Sequence, residues 1–158
     1  MSKLTANTLP SQVRIVEVGA RDGLQNESAV STQDKVSLIN ALAAAGISDI
    51  EAGAFVSPKW VPQMADSSDV ISSLNLPDTN LTALTPNLKG AQAAHEVGIK
   101  EFAIFTAASE SFCQKNINCS IEQSIARFAD VMAFAKQHNI RVRGYVSCVL
   151  GCPYEGDI

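Results

Sequence analysis

Short β-rich runs alternate with helical segments along the chain, and this alternation constrains the fold more than any other feature of the sequence. The runs recur at intervals of roughly 20 to 40 residues. They predict strands at Arg14–Val18, Asp49–Phe55, Leu81–Leu84, Glu101–Phe105 and Arg141–Val149. Strands that alternate with helices are typical of an α/β fold with a parallel sheet.

The helical segments carry start and stop signals. Ser31 is predicted to cap a helix over Thr32–Ala45 that ends at Gly46, and Ser120 with Gln123 forms a capping box for a later helix. The inner face of that later helix is predicted to consist of Ile121, Ile125, Phe128 and Met132. Further helices are predicted at Leu88–Val97 and over most of Ser57–Leu76.

The residues after the first predicted strand favour a barrel over an open doubly wound sheet. Residues 19–23 (Gly-Ala-Arg-Asp-Gly) offer charge instead of a glycine-rich dinucleotide fingerprint. A complete eight-stranded barrel usually needs about 250 residues, whereas this chain has 158. We therefore expect residues 13–158 to form a partial TIM (β/α)8 barrel of about five parallel strands with intervening helices, truncated, after an N-terminal extension over residues 1–12.

Composition and charge argue against several classes of protein. The net charge is −4, and no basic stretch suggests a nucleic-acid surface. No apolar run is long enough to span a membrane, and residues 1–12 resemble neither a signal peptide nor a mitochondrial presequence. We therefore expect a cytoplasmic, bacterial protein with no membrane partner. Its four cysteines are expected to be free thiols, since their spacing fits no common zinc site.

Charged residues follow the first predicted strand, where the catalytic groups of a barrel lie. Arg21 and Asp22 could form a surface ion pair or cap a loop, or they could be a metal ligand beside a cation. If the strand stays extended, Glu17, Gly19 and Arg21 point together into the barrel. Arg21 could then neutralise Glu17, because burying an unpaired charge is very costly.

Two other predicted strands also carry polar groups. Glu51 interrupts an apolar run and shares a face with Gly53 and Phe55 if the alternation is regular. Strand five would present Arg143, Tyr145 and Ser147 to the interior. Polar groups from three strands that meet at one mouth predict a functional site.

Other potentially reactive residues are given structural interpretations. His95 and His138 are predicted to be solvated helix residues, and Trp60 a packing anchor over the mouth. Cys148 and Cys152 are interpreted as inert small residues, since no histidine lies near them in the sequence.

Four longer segments carry a family likeness. They are Glu17–Glu27 (EVGARDGLQNE), Phe55–Met64 (FVSPKWVPQM), Lys115–Ser120 (KNINCS) and Gly144–Gly156 (GYVSCVLGCPYEG). In this order they resemble the 3-hydroxy-3-methylglutaryl-CoA (HMG-CoA) lyases, which are metal-dependent barrel enzymes of the DRE-TIM metallolyase family. The likeness runs from about residue 13 to the last residue.

The resemblance implies a reaction and a cofactor. The reaction is the cleavage of HMG-CoA to acetyl-CoA and acetoacetate, as in leucine degradation and ketone-body metabolism. A divalent cation, Mg²⁺ or Mn²⁺, would be held by Asp22 together with two histidines of an H-x-H pair and an asparagine from later strands. The chain contains no H-x-H sequence, so we expect it to be inactive by itself. A full-length protein is expected to be a homodimer.

The resemblance also assigns roles to individual residues. Arg21 and Glu51 would be catalytic. Arg21 would stabilise the enolate oxygen, and Glu51, beside the reacting centre, would orient the site or take part in proton transfer. Gln25 would position the substrate, while Lys115 and Asn116 would lie along the CoA tail. By strand alternation, and not by the resemblance, Glu17, Arg143, Tyr145 and Ser147 are expected to lie around these residues and support them.

Two alternative functions stay open. The chain could be a non-catalytic half-barrel that pairs with another chain, or a remnant. It could instead belong to a related Claisen synthase of the isopropylmalate or homocitrate type, although Ser57–Met64 and Ser147–Gly156 argue against this. A eukaryotic source with a missing presequence would place the protein in the mitochondrion.

Overall fold

The computed structural model describes residues 10–158. A π-helical turn at Gly19–Gly23 and a 3₁₀ turn at Pro62–Met64 accompany the regular elements. The helices are α1 (Thr32–Ala44), α2 (Ser67–Ser72), α3 (Leu88–Glu96), α4 (Glu110–Ile117) and α5 (Ile121–Gln137). The strands are β1 (Asp49–Ala54), β2 (Asn80–Leu84), β3 (Glu101–Ala107) and β4 (Arg141–Ser147).

The strands form one parallel sheet in the order β1-β2-β3-β4. Because consecutive strands are neighbours and helices lie between them in sequence, the chain is a series of βα units. The sheet is strongly curled: Tyr145 of β4 donates a hydrogen bond to Glu51 of β1, across the two intervening strands. The predicted partial (β/α) barrel is confirmed.

Apolar side chains pack on both faces of the sheet. The outer core joins the sheet to the helices and includes Ile39, Ile50, Val70, Phe102 and Val131. A smaller inner cluster lies toward the carboxyl ends of the strands, and it contains Ala54, Met64, Leu84, Ala103, Phe105 and Tyr145. Burial on both faces is what a barrel strand requires. Among residues 10–158, no helix combines the length and apolar character needed to cross a membrane.

The predicted strand at Arg14–Val18 is wrong in extent. Only Glu17 forms a β-bridge, a parallel one to Ile50. Beyond it, the N–H groups of Arg21 and Asp22 donate to the carbonyl of Val18 instead of to a neighbouring strand. Extended backbone therefore ends at Val18, and the described sheet has four strands and one bridge. The predicted extension over residues 1–12 lies mostly outside the described residues.

Several helix predictions are confirmed at their ends and wrong elsewhere. The Ser31 cap and the Ser120–Gln123 capping box are present. Ser57–Leu76 contains only the 3₁₀ turn and α2, and α4 was not predicted. The buried face of α5 is also shifted, because Ile125 and Met132 are exposed. Its fully buried residues are Ser124, Val131 and Ala135.

Candidate active site

The π-helical turn presents Arg21 to the sheet. The guanidinium Nε donates to Oε1 of Glu51 at 2.5 Å, and Nη1 donates to Oδ1 of Asp22 at 2.7 Å and to Gln25 at 3.4 Å. Nη2 has no hydrogen-bond partner among residues 10–158. The side chain is only 12% exposed, so three of its neighbours fix its direction and one donor stays available to a ligand.

Glu51 is fully buried and accepts hydrogen bonds on both carboxylate oxygens. Arg21 reaches one oxygen, and the hydroxyl of Tyr145 reaches the other at 3.1 Å. Burial, together with the negative charge of Glu51, raises the pKa of Tyr145 to about 12. Tyr145 therefore stays protonated and is a hydrogen-bond donor at neutral pH, and Glu51 is held by one cation and one neutral hydroxyl.

A β-bulge in β1 changes the face on which the residues after Glu51 lie. Glu51 pairs with Thr82 and Gly53 with Ala83, so Ala52 is the extra residue. Ala54 therefore joins the inner cluster with Leu84, whereas a Cβ on Gly53 would meet Ser67 of α2. The prediction that Gly53 shares the face of Glu51 is wrong, because a bulge breaks the two-residue alternation.

Asp22 is the candidate metal ligand, and 62% of its side chain is exposed beside Arg21. An accessible carboxylate is a hard oxygen donor of the kind that Mg²⁺ and Mn²⁺ prefer. Within residues 10–158, no group of three His, Cys, Asp or Glu side chains is placed to hold an ion. The chemistry of Asp22 thus fits one ligand of a divalent metal.

The supporting residues predicted from the last strand are divided between two ends of the sheet. Tyr145 lies at the Arg21–Glu51 pair, whereas Arg143 donates to Glu101 at 2.6 Å, at the amino end of β3. Ser147 ends β4, and its carbonyl accepts the N–H of Ala108. Glu17 does not pair with Arg21; its carboxylate accepts the N–H of Gly19 at 2.6 Å.

Lys115 and Asn116 are exposed on α4 and do not touch the Arg21–Glu51 pair. The Lys115 ammonium lies 3.7 Å from the centre of the Tyr154 ring. The carboxylate of Glu155 accepts the N–H of Ser111 at 2.6 Å, so the loop after β4 is attached to the start of α4. These contacts make α4 and this loop one surface.

The remaining reactive residues lie apart from the Arg21–Glu51 pair. His95 and His138 pack against each other with ring centres 4.5 Å apart. All four cysteines are free thiols, and Cys152 accepts the hydroxyl of Ser109 at 2.9 Å. Trp60 is 86% exposed, so its predicted role as a packing anchor is wrong.

Sequence reasoning missed Gln63, whose side chain makes three hydrogen bonds to the backbone of residues 27–30. Its place in the Phe55–Met64 segment, one of the four that resemble the lyases, was the available signal. The donors and acceptors could not be foreseen because they come from loops that are distant in the sequence.

Comparison with known proteins decides the family. The model of the family described as HMGL-like matches residues 12–158. The chain belongs to the HMGL-like family. It is 58% identical over 152 residues to a Pseudomonas aeruginosa protein named 3-hydroxy-3-isohexenylglutaryl-CoA/hydroxy-methylglutaryl-CoA lyase. It is 60% identical over 151 residues to the mitochondrial hydroxymethylglutaryl-CoA lyase of Gallus gallus.

Solved structures of HMGL-like relatives agree with the fold. The hydroxymethylglutaryl-CoA lyase of Pseudomonas aeruginosa superposes with a TM-score of 0.91 at 58% identity, over 95% of this chain and 51% of that one. An Acinetobacter baumannii HMG-CoA lyase in complex with coenzyme A and 3-methylmalate gives 0.85 at 39% identity, over 90% of this chain and 47% of that one. The matches to the two relatives include 94–95% of this chain. The chain spans about half (51%) of the length of each relative.

Proposed function

We propose that a protein containing this chain cleaves HMG-CoA to acetyl-CoA and acetoacetate. The observation that carries the proposal is the Arg21 guanidinium, fixed by Glu51, Asp22 and Gln25 with Nη2 available. Membership of a family whose similar members are named HMG-CoA lyases supports this reaction over a Claisen synthase.

The reaction removes the proton of the tertiary hydroxyl and breaks the bond between C2 and C3. As C3 becomes the ketone of acetoacetate, the electron pair of that bond goes to the thioester part, which becomes the enolate of acetyl-CoA. The enolate is then protonated at C2, so that the net change is the transfer of one proton from the hydroxyl to C2. Nη2 of Arg21 is the donor for the enolate oxygen. A donor held in place before the reaction stabilises such charge without reorganisation during the step, and arginine does so without changing its own protonation.

Glu51 and Tyr145 have an orienting role in this proposal. Both carboxylate oxygens of Glu51 are engaged, by Arg21 Nε and by the Tyr145 hydroxyl. A carboxylate in this state holds the guanidinium plane in one direction. Both oxygens already hold a fixed partner, and this favours positioning over general-base catalysis.

Asp22 would supply one ligand to a divalent metal, Mg²⁺ or Mn²⁺. When bound, such an ion lowers the cost of ionising the substrate hydroxyl. Asp22 accepts a hydrogen bond from Nη1 of Arg21 at 2.7 Å, so the proposed metal ligand and the proposed enolate donor lie side by side. Gln25, next to both, would help to orient the substrate.

Lys115 and Asn116 would contact the CoA moiety. Lys115 is a cation on an exposed surface, and a phosphate-bearing nucleotide tail requires positive charge. A coenzyme A complex of a relative supports an acyl-CoA substrate. We further propose that the full-length protein is a homodimer that acts in leucine degradation and ketone-body metabolism. It would act in the bacterial cytoplasm or, if the source is eukaryotic, in the mitochondrion, as the names of several relatives state for those proteins.

The test is an HMG-CoA cleavage assay on a full-length protein that contains this chain, with Mg²⁺ or Mn²⁺. Arg21→Lys keeps a cation beside Glu51 but removes the planar fork, so kcat should fall by about 10²–10³. Asp22→Ala should weaken Mn²⁺ binding in a direct titration.

Arg127→Lys on α5 is the matched control, since Arg127 is exposed and, within residues 10–158, donates only to the carbonyl of Ile117. It should retain wild-type kcat. A wild-type protein without cleavage activity would support the non-catalytic half-barrel, and condensation of acetyl-CoA with a 2-oxo acid would support the synthase. Unchanged kcat in Arg21→Lys would remove the role given to Arg21.

A further inference from the structure

Gln63 uses its whole side-chain amide to hold another loop. Nε2 donates to the carbonyl oxygens of Glu27 at 2.6 Å and Ser28 at 2.5 Å, and Oε1 accepts the N–H of Val30 at 3.4 Å. An amide can make about four hydrogen bonds, so these three use most of its capacity. They join segments more than thirty residues apart in the sequence.

The loop that Gln63 holds is the continuation of the turn that carries Arg21, Asp22 and Gln25. Backbone bonds run along it without a gap, from the Val18 carbonyl to the N–H of Glu27. Its near end is fixed at Glu17, which exchanges two backbone bonds with β1 at 2.8 and 2.9 Å. Its far end is fixed by Gln63. The turn is thus fixed at both ends. At one end it is bonded to β1, and at the other to Gln63, in the segment that follows β1.

Gln63 is itself fixed by an ion pair whose lysine is buried. Lys35 of α1 is 5% exposed, and its ammonium donates to the carbonyl of Gln63 at 2.5 Å and to Asp66 at 2.6 Å. Thr32 donates to the second oxygen of Asp66 at 2.7 Å. Burial opposes ionisation of Asp66, but the Lys35 and Thr32 hydrogen bonds outweigh it and lower its pKa. A charged lysine held this firmly leaves the Gln63 backbone little freedom.

We propose that Gln63 is a positioning residue that sets the direction of the Arg21–Gln25 turn, and through it the enolate donor and the metal ligand. The inference rests on the proposed lyase function for its effect on turnover. Its effect on the turn itself does not depend on that function. A small misplacement of a reacting group can cost about 10²-fold in rate. Loss of the hydrogen bonds at one end of the turn is therefore expected to lower the reaction rate.

The test compares Gln63→Glu and Gln63→Met in the full-length protein. Glutamate places an oxygen against two carbonyl oxygens, whereas methionine keeps the volume and removes all three bonds. We expect kcat to fall by about 10- to 100-fold in both, with weaker Mn²⁺ binding. Amide hydrogen exchange in residues 18–28 should be about tenfold faster, with unchanged exchange in β2 and β3.

Gln123→Met is the matched control, since Gln123 accepts the N–H of Ser120 in the capping box of α5. It should lower the melting temperature and leave kcat, Mn²⁺ affinity and exchange in residues 18–28 at wild-type values. Gln63→Met with wild-type exchange in that segment overturns the inference, as does faster exchange with unchanged kcat and Mn²⁺ affinity in an active enzyme. If the wild-type protein has no lyase activity, the proposed function is wrong. Amide hydrogen exchange in residues 18–28 then tests by itself whether Gln63 holds the turn.

Discussion

The hydrogen bond between Tyr145 and Glu51 sets the protonation of the hydroxyl and the orientation of the carboxylate. The hydroxyl lies 3.1 Å from a carboxylate that is wholly removed from water. Ionising Tyr145 would place a second negative charge beside the first in a region of low polarity, which is why its pKa is raised to about 12. The neutral hydroxyl is thereby kept as a donor, and Glu51 keeps a fixed orientation toward Arg21.

A difference titration measures this effect directly. Subtracting the ultraviolet titration of a Tyr145→Phe variant from that of the unchanged protein leaves the signal of the Tyr145 phenol. Its ultraviolet absorbance should titrate at about 12 instead of the usual value of about 10. Because the folded pKa is raised, the stabilisation is complete below pH 10 and is lost as the pH rises toward 12. Tyr145→Phe should flatten that loss, and an ordinary midpoint near 10 would contradict the buried contact.

Strand β1 combines a fully buried charge with an irregular backbone. The bulge at Ala52 leaves the N–H of Ala54 without a partner on β2, and the hydroxyl of Ser67 accepts it at 3.0 Å. The same hydroxyl donates to the carbonyl of Met64 at 2.8 Å. Gly53 is needed for this approach, because a Cβ there would lie 2.7 Å from the Ser67 oxygen. The bulge thus places Gly53 against α2, and Ser67 of α2 supplies the hydrogen-bond acceptor that β2 does not.

Gly53→Ala should destabilise the protein by about 1–3 kcal/mol, the usual cost of overpacking. Ser67→Gly removes the two atoms that a Cβ on Gly53 would meet, Oγ and Cβ, and is itself destabilising. The double variant should therefore be more stable than the sum of the two single free-energy changes predicts. Urea unfolding of all three measures the coupling. Gly144→Ala in β4 is the control, since a Cβ there meets nothing within 4 Å. Strictly additive free energies would show that Ser67 does not set the space at Gly53.

The sequence predicted some elements of this fold and could not predict others. Helix caps depend on residues three apart, so Ser31 and Ser120 were identified correctly. The meeting of Arg21, Asp22 and Glu51 at one mouth followed from the barrel, but the partner of Arg21 was predicted as Glu17 and is Glu51. The bulge at Ala52 left no pattern in the sequence. The face of α5 was misplaced because α5 carries apolar residues such as Ile125 beyond the side that the sheet covers.

On the scale of the whole molecule, two polar networks occupy opposite ends of one sheet. Arg21, Glu51 and Tyr145 form the first, next to the inner apolar cluster. The second joins the first residues of all four strands, Asp49, Asn80, Glu101 and Arg141, with Arg14 and Arg143. Residues at the carboxyl ends of barrel strands are typically catalytic, whereas the opposite end contributes to stability. We therefore expect the second network to act on folding alone.

Lowering the pH should show how much the second network contributes to stability. Burial raises the pKa values of Asp49 and Glu101, but hydrogen bonds from Asn80 and the arginines outweigh it and lower both. Stability from these lowered values is complete above the unfolded values of 3.8 and 4.5 and is lost as the pH falls below them. Glu101→Gln should cost about 1–3 kcal/mol at pH 7 and flatten the acid limb in urea unfolding. Asp78→Asn, at an exposed site, should change neither; an unaltered acid limb in Glu101→Gln would show that this network does not govern acid unfolding.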